Sequence, residues 1–280
     1  MKLSDFDSLV FSGGGGRCIW QAGFCETLFR QKELKIDQVA GVSAGATIAC
    51  FALVGKTEEG LRYFKKVTAQ NRKNMYLENI FNKNPVFPQY NIYRQSILDL
   101  FDPAALSTLK SGPSFNVLIT KPPSWIGPRL GTVIGFSAYM VEKKLKNPLH
   151  PSFACKLGYT PVIIPISSCN TTDDLAELLL QSSCTPPFVP VMKRNGFPAL
   201  DGGIIDNVPV KAISGSKGRI LVLLTRQYPA DLIKVKKERV YIQPSQPITI
   251  KKWDYTNPDG LQIVYDLGKS DAERFLQNCT

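Results

Sequence analysis

The sequence predicts an α/β fold in which helices cover both faces of a largely parallel sheet. Short apolar segments alternate with helical segments along the chain, which is the pattern of parallel strands joined by crossover helices. The segment ILVLLT at Ile220–Thr225 is apolar without interruption, as expected of a strand buried on both faces. At Gly41–Gly45 an apolar segment passes into an alanine-rich one, which indicates a strand, a sharp turn and a helix.

Composition allows this fold to be built as one large domain. The chain has 280 residues, of which 44% are hydrophobic, and it shows no internal repeat, low-complexity tract or linker. We therefore expect a single domain over residues 1–280. Its core is expected at about 8–241, and a C-terminal helix at about 259–278.

The first half of the chain is predicted to contain two strand–helix units. The first strand enters a run of four glycines, and the second enters the turn at Gly41–Gly45. Aromatics between prolines and asparagines at Asn74–Asp102 predict a long connection with short helices. The other predicted elements are a strand at Ser8–Phe11, a helix at Ile19–Gln31, a strand ending at Val39-Ala40, a buried helix at Ala44–Val54 and an amphipathic, basic helix at Thr57–Asn71.

Prolines interrupt several apolar segments of the second half, where we expect shorter elements. The predictions, in order, are a strand at Ser114–Thr120, a helix over the cleft at Leu130–Val141, an edge strand or extended segment at Tyr159–Ile166, a helix at Leu175–Ser183, extended backbone at Thr185–Pro190, a strand at Phe197–Leu200, a helix from Asn207 to near Ser214, strands at Ile220–Thr225 and Val240–Ile242, and a helix at Asp259–Gln277 with Leu261, Val264, Leu267 and Phe275 facing inward.

Ser43 is the candidate nucleophile. A serine at such a turn has its Oγ exposed above the sheet edge, and the following helix N-terminus favours an oxyanion. Gly41 and Gly45 allow the strand and the helix to approach closely, where a Cβ would clash. The alternative is a Gly/Ser turn without chemistry.

The glycine loop at Ser12–Arg17 is a candidate oxyanion hole. Consecutive glycines leave backbone N–H groups uncovered, and such groups can bind a negative oxygen. The loop is not a P-loop, because no GK[ST] follows it. A flexible turn is the alternative, although flexibility has no evident use between a strand and a helix.

A serine hydroxyl needs a base, and the sequence offers two kinds. The one histidine, His150, lies between prolines and precedes the best acid candidate, which disfavours it. Asp201 follows a short apolar segment, and the two glycines after it allow close approach of a neighbouring loop. A carboxylate can take the proton directly in a water-poor pocket. Asp206, Asp173 and Asp174 are weaker candidates, because each fits a turn or a helix cap.

Metal, redox and membrane-spanning functions are not indicated. Seven scattered cysteines without a CxxC pair, together with one histidine, predict reduced thiols and neither a metal site nor a cofactor. No apolar segment approaches the roughly 20 residues needed to cross a bilayer. Acidic residues occupy the place of a signal peptide's apolar core. We therefore expect a cytoplasmic protein, with peripheral membrane contact as a further possibility.

The net charge of +11 points to an anionic partner. Basic residues are densest at Arg62–Lys73, Lys143–Lys146 and Lys234–Arg239. No nucleic-acid-binding motif accompanies them, so an anionic membrane surface is the preferred partner and nucleic acid is not expected. Solvated helix faces are the alternative explanation for each cluster.

Four segments together resemble the patatin-like phospholipases: SGGGGRCIWQAG at Ser12–Gly23, the turn at Gly41–Gly45, SSCTPPFVP at Ser182–Pro190 and DGGIIDNVP at Asp201–Pro209. Their order along the chain is that of the family, and the resemblance extends from about Ser8 to Tyr241.

The resemblance implies a three-layer α/β/α fold and a catalytic dyad of Ser43 and Asp201. It also implies an oxyanion hole formed by the amides around Gly14, Gly15 and Gly16, with Arg17 positioning the loop. Cys18 departs from the family, which usually has a glycine there.

The implied function is that of a serine lipid acyl hydrolase, of phospholipase A or lysophospholipase type. It would cleave phospholipid or lysophospholipid esters through an acyl-serine intermediate, without metal or cofactor. A soluble carboxylesterase or thioesterase on the same fold is the alternative, and a non-enzymatic membrane-binding protein is less favoured. The sequence indicates no oligomeric state.

Overall fold

The described residues form an eight-stranded sheet. The structure, a computed structural model, describes residues 2–31, 33–82, 84–146, 148–151, 153–233 and 238–279. The strands are β1 (Phe6–Phe11), β2 (Gln38–Val42), β3 (Ser114–Lys121), β4 (Thr160–Pro165), β5 (Met192–Arg194), β6 (Phe197–Asp201), β7 (Arg219–Leu223) and β8 (Arg239–Ile242).

The centre of the sheet is parallel, and its antiparallel strands lie to one side. The strand order is β5-β6-β3-β2-β1-β7-β8, and β4 also pairs with β3. β3, β2, β1, β7 and β8 are mutually parallel, whereas β4, β5 and β6 pair antiparallel. The predicted fold class, a mainly parallel sheet flanked by helices, is confirmed.

The central strands are packed on both faces, by a separate hydrophobic core on each face. Leu9 and Leu221 point into a large core shared with helices from both halves of the chain. Val10 and Val222 point into a second core, which the segment 208–213 helps to close. The helices are α1 (Ile19–Leu28), α2 (Ala44–Leu53), α3 (Thr57–Gln70), α4 (Gln89–Leu100), α5 (Pro103–Ser111), α6 (Pro128–Lys146), α7 (Phe153–Lys156), α8 (Thr172–Ser182) and α9 (Pro258–Gln277).

The C-terminal helix α9 is held against α1 by a close approach of the two backbones. A Cβ at Gly23 would lie 1.9 Å from Tyr265 O, and a Cβ at Gly268 would lie 2.1 Å from Trp20 O. The indole Nε1 of Trp20 also donates to Asp271 Oδ2 at 2.8 Å. The helix is thus part of the main core. Of its predicted inward residues, Leu261, Val264 and Phe275 are buried and Leu267 is half-buried.

One predicted helix is wrong. Residues 207–214 contain a single 3₁₀ turn at Val210–Ala212 instead of a helix. Pro209 has no N–H, and Asp206 Oδ1 accepts the N–H of Val208 at 2.9 Å. A short polar side chain that binds nearby backbone in this way favours a turn over a helix.

Two further segments differ from the prediction. Thr185–Pro190 is a turn rather than extended backbone, because Thr185 O accepts the N–H groups of Phe188 and Val189 at 3.0 and 3.2 Å. The connection at Asn74–Asp102 contains α4, a helix of 12 residues. The predicted basic cluster at Lys234–Arg239 lies mostly outside the described residues, which omit 234–237.

The predicted helix over the cleft is present as α6. It is longer than Leu130–Val141 and runs over 19 residues. Like every other helix in the described part of the chain, it lacks the combination of length and apolar content needed to cross a membrane.

Candidate active site

Ser43 makes the turn between β2 and α2. β2 ends at Val42 and α2 begins at Ala44, so one residue reverses the direction of the chain. Its backbone has φ 54° and ψ −141°. L-residues rarely adopt this conformation, which costs of order 1–3 kcal/mol and persists only where surrounding structure enforces it. This is the strained strand-to-helix geometry typical of a turn that carries a nucleophile, but Ser43 is buried and not exposed above the sheet edge as predicted.

Gly41 and Gly45 are needed because backbones meet on both sides of the turn. A Cβ at Gly41 would lie 2.6 Å from Ala46 Cα, and a Cβ at Gly45 would lie 2.3 Å from Ser12 O. Neither neighbour is a flexible side-chain end that could move away. The expected close approach of strand and helix is therefore present, and the glycine loop approaches the helix as well.

The sheet register brings Asp201 to this turn. β4 pairs with residues 116–121 of β3 along one edge, so β2 and β6 must share the other edge. β2 ends there with Val42 opposite Leu118, and β6 begins pairing one position further, with Asp201 opposite Ile119. The residue after Val42 and the last residue of β6 thus arrive at the same point of the sheet.

The two side chains are hydrogen-bonded. Ser43 Oγ donates to Asp201 Oδ2 at 3.0 Å, and the residues are 2% and 1% exposed. The Asp201 carboxylate also accepts from Gly203 N–H at 2.7 Å and from Thr185 Oγ1 at 3.1 Å. These donors fix the carboxylate so that one oxygen faces the serine.

Ser182 holds the turn from behind and was not predicted to do so. Its Oγ accepts the N–H of Ser43 at 2.8 Å and donates to Leu118 O at 2.7 Å. It lies at the end of α8 and is fully buried. The segment SSCTPPFVP contributed to the resemblance, but nothing in the sequence assigned roles to Ser182 or Thr185.

The glycine loop is anchored at Gly13. Gly13 N–H donates to Asn207 O at 3.1 Å, and Asn207 Nδ2 donates back to Gly13 O at 2.9 Å. Thr225 Oγ1 donates to the same carbonyl at 2.7 Å. The loop therefore has a fixed conformation beside Ser43, whose Cβ would lie 3.3 Å from a Cβ at Gly13.

Two amides of the loop remain for an oxyanion. Gly14 and Gly15 N–H donate to no protein acceptor among the described residues. Gly16 N–H, by contrast, donates to Lys252 O at 3.0 Å. Of the three predicted oxyanion donors, Gly16 is therefore already occupied by a protein acceptor. Arg17 Nε donates to Gly14 O at 3.3 Å, and the role of this residue in positioning the loop stays a prediction.

Cys18 fits the loop without disturbing it. Its buried Sγ lies 3.6 Å from Ser12 O, to which it donates. Burial raises the pKa of this thiol to about 12, so it stays neutral at physiological pH. Cys18 is therefore a packing residue, and its difference from the family's usual glycine is accommodated.

His150 does not contact Ser43 and pairs with Asp206 instead. Its Nδ1 lies 3.1 Å from Asp206 Oδ1, and the pair lines a separate cavity of about 260 Å³ with Cys155 and Lys211. Within the described ranges, no group of three or more His, Cys, Asp or Glu side chains is arranged to hold a metal ion.

Helix α6 covers the carboxylate side of the site. A Cβ at Gly135 would lie 3.1 Å from Ile204 Cγ2 and 2.9 Å from Tyr159 Cε1. Burial raises the pKa of Tyr139, on the next turn, and the charges of Arg226, Asp201 and Arg17 also act on that tyrosine. The inner face of α6 therefore packs beside the segment that carries Asp201, close enough for Tyr139 to feel the charges of Arg226, Asp201 and Arg17.

An apolar cavity of about 50 Å³ lies on the other side of the glycine loop. Gly15, Gly16 and Ala44 border it next to the site. The rest of the wall combines apolar side chains from α1, α2, α3 and α9 with Thr47, Thr68, Tyr93, Asp254 and Tyr255. The cavity is small, but it opens beside the residue that follows Ser43.

Comparison with known proteins identifies the family of this chain. The sequence model of the patatin-like phospholipases matches residues 9–213. Among solved structures, VipD from Legionella pneumophila aligns with a TM-score of 0.49 and 11% sequence identity, over 98% of this chain and 67% of VipD. A search of curated proteins returned no match. Because the family model covers well over half of the sequence, the chain belongs to the patatin-like phospholipase family, which indicates lipid acyl hydrolysis in general.

Proposed function

We propose that this protein is a serine lipid acyl hydrolase of phospholipase A or lysophospholipase type, with Ser43 as nucleophile and Asp201 as its base. The observation that carries the proposal is the 3.0 Å hydrogen bond from Ser43 Oγ to Asp201 Oδ2, in a site closed to solvent. That bond joins a serine with a strained backbone to the Asp201 carboxylate. Among the described residues, no basic side chain forms a salt bridge with this carboxylate.

The first step acylates the serine. Ser43 Oγ attacks the ester carbonyl carbon while its proton passes to Asp201 Oδ2. The carbonyl oxygen becomes an oxyanion, which the Gly14 and Gly15 amides and the N-terminus of α2 stabilise. The C–O bond to the leaving group then breaks, the alcohol or lysophospholipid takes the proton from Asp201, and acyl-Ser43 remains.

The second step releases the fatty acid. A water molecule gives a proton to Asp201 and attacks the acyl-serine carbonyl, and the same amides hold the second oxyanion. Its collapse breaks the bond to Ser43 Oγ, which recovers its proton from Asp201. Thr185 and Gly203 keep the carboxylate oriented through both steps.

Contact with an anionic membrane surface is part of the proposal. The outer face of α6 exposes large apolar side chains next to cations, a combination that suits the boundary between anionic headgroups and acyl chains. Exposed apolar patches on a protein surface also mark interaction sites. The apolar residues are Leu130, Val133, Met140, Val141 and Leu145, and the exposed cations are Arg129 and Lys144.

A soluble carboxylesterase or thioesterase is the second candidate. The observation that favours it is the size of the cavity beside Ala44, about 50 Å³, which would hold a short acyl chain more readily than a long one. The same dyad chemistry would serve either substrate class.

Fatty-acid release from anionic phospholipid vesicles, compared with p-nitrophenyl butyrate hydrolysis, tests the proposal. We expect Ser43→Ala and Asp201→Asn to lose at least about 100-fold in turnover while remaining folded. Asp173→Asn is the matched control, because this carboxylate is exposed on α8. Wild-type turnover in Asp201→Asn would remove Asp201 from the mechanism. Activity that is indifferent to vesicles would favour the soluble esterase.

A further inference from the structure

Three basic residues are brought around the glycine loop by the contacts that anchor it. Arg17 ends the loop, and its Nε donates to Gly14 O. Arg226 directly follows Thr225, whose hydroxyl donates to Gly13 O. Lys252 accepts the N–H of Gly16 through its backbone oxygen, and its Cγ would lie 2.7 Å from a Cβ at Gly15.

A fourth cation comes from α6. Lys143 is half-buried, one helical turn beyond Tyr139, which senses the charges of Asp201 and Arg17. The pKa of Lys143 is lowered to about 8, chiefly by burial and then by the positive charges of Arg226, Arg17 and Lys252. The Lys143 ammonium is therefore close enough to Arg226, Arg17 and Lys252 to be repelled by each of them.

None of these four cations forms a salt bridge with a carboxylate of the described residues, whose ion pairs all involve other basic side chains. Arg226 lies over the Tyr228 ring at 4.4 Å, and its buried Nε has no acceptor in the described part of the chain. Lys252 likewise lies over the Trp253 ring at 5.2 Å. Half-buried cations without a carboxylate beside them are unfavourable, because no opposite charge offsets the hydration that they lose. Such an arrangement suits a site that an anion completes.

We propose that Arg17, Lys143, Arg226 and Lys252 bind the phosphate group of a glycerophospholipid and so select phospholipids over neutral acyl esters. This inference rests on the proposed function, because it places the headgroup beside the site of ester cleavage. The three-carbon glycerol joins the phosphate to the ester carbonyls, so a lipid held at Ser43 presents its phosphate near the glycine loop. Arginine and lysine are the side chains that proteins use for phosphate, since their N–H donors form charge-assisted hydrogen bonds.

The test compares two monomeric substrates with the same acyl chains, so that membrane binding plays no part. Dihexanoylphosphatidylglycerol and dihexanoylglycerol are supplied below their aggregation concentrations to the full chain. The measured quantity is the kcat/KM for dihexanoylphosphatidylglycerol divided by the kcat/KM for dihexanoylglycerol. We expect Arg226→Gln and Lys143→Gln each to lower this ratio at least about tenfold, the size typical of a lost charge-assisted hydrogen bond. Lys143→Arg should restore most of it.

Arg62→Gln and Lys66→Gln are matched controls, since both residues are exposed on α3. Ratios within about twofold of wild type in Arg226→Gln and Lys143→Gln would overturn the proposal. A fall that the control variants share would overturn it as well, because net charge would then be the cause. Should Arg226→Gln fail to fold, the Lys143 variants decide the question.

A binding measurement separates this proposal from the function on which it rests. Calorimetry on the Ser43→Ala chain uses glycerophosphoglycerol, the deacylated headgroup, and inorganic phosphate in parallel. We expect the headgroup to bind and Arg226→Gln to abolish its binding. Equal or tighter binding of inorganic phosphate would overturn the lipid assignment in favour of free phosphate. Headgroup binding without ester hydrolysis by the wild-type chain would support the site while contradicting the hydrolase.

Discussion

Ser182→Ala tests whether the strained turn at Ser43 is held by the neighbouring helix. Ser182 Oγ accepts Ser43 N–H at 2.8 Å and donates to Leu118 O at 2.7 Å. Removing the hydroxyl leaves a buried donor and a buried acceptor without partners. It also releases the bond that fixes Ser43 at φ 54°.

The size of the effect follows from these losses. An unsatisfied buried polar group costs about 1–3 kcal/mol, and since such costs are not fully additive, we expect about 2–3 kcal/mol in the free energy of unfolding. For a chain of 280 residues the entropy of unfolding is about 0.6 kcal/mol per kelvin, so the melting temperature should fall by about 3–5 °C. Turnover should fall about tenfold, because the serine is no longer held in the attacking position.

Calorimetry and ester hydrolysis measured on the same samples check both numbers. Ser96→Ala is the matched control: its hydroxyl is also fully buried, but it donates to Tyr93 O within α4. This control should melt within about 1 °C of wild type and retain its turnover. The reasoning is refuted if Ser182→Ala behaves like Ser96→Ala in both measurements.

Three further perturbations test the turn at Ser43, the outer face of α6 and the cation cluster. Gly45→Ala should prevent correct folding, because its Cβ would lie 2.3 Å from a backbone oxygen, whereas Gly127→Ala, with no atom within 4 Å, should fold normally; circular dichroism would distinguish them. Val133→Glu should weaken co-sedimentation with anionic vesicles, and Ile263→Glu, equally exposed at 62%, should not. Lys143→Met should raise the melting temperature at pH 7, where the wild-type fold carries an unfavourable charge because the pKa is lowered to about 8. That gain should shrink as the pH rises from about 8 towards the ordinary lysine value of 10.5, and a constant gain would contradict it.

The pairing of Ser43 with Asp201 could be predicted because the segments that carry them occur in a characteristic order. The turn at Gly41–Gly45 and the Asp-Gly-Gly at Asp201 are local patterns, and together with the glycine loop they indicate one chemistry. The sheet register explains why residues so distant in sequence meet: β2 and β6 share one edge of β3, with Asp201 opposite Ile119. That pairing was not evident from either segment alone.

The supporting residues could not be predicted, because their roles depend on where whole elements end. Ser182 and Thr185 reach the dyad only because α8 stops beside it. Lys252 O accepts the N–H of Gly16, although the two residues lie more than 200 positions apart in the sequence. No local pattern indicates that contact. Predictions of oxyanion donors from the glycine run alone were therefore too broad.

The wrong secondary-structure predictions have a common cause. Near Pro209 and within Thr185–Pro190, side-chain and backbone groups satisfy one another locally, which composition and periodicity do not reveal. The helix at α6 was predicted from its apolar content, but which residues face outward depends on its packing against Ile204 and Tyr159. The extent of the domain over residues 1–280 stays a prediction.

The most direct test of the account is to map where a fluorophosphonate probe attaches. Treatment of the wild-type chain, followed by proteolysis and mass spectrometry, should place one adduct on the peptide that contains Ser43. Ser43→Ala should acquire none, and Asp201→Asn should react much more slowly, since the hydroxyl has lost its base. An adduct on another residue, or undiminished labelling of Ser43→Ala, would contradict the central claim.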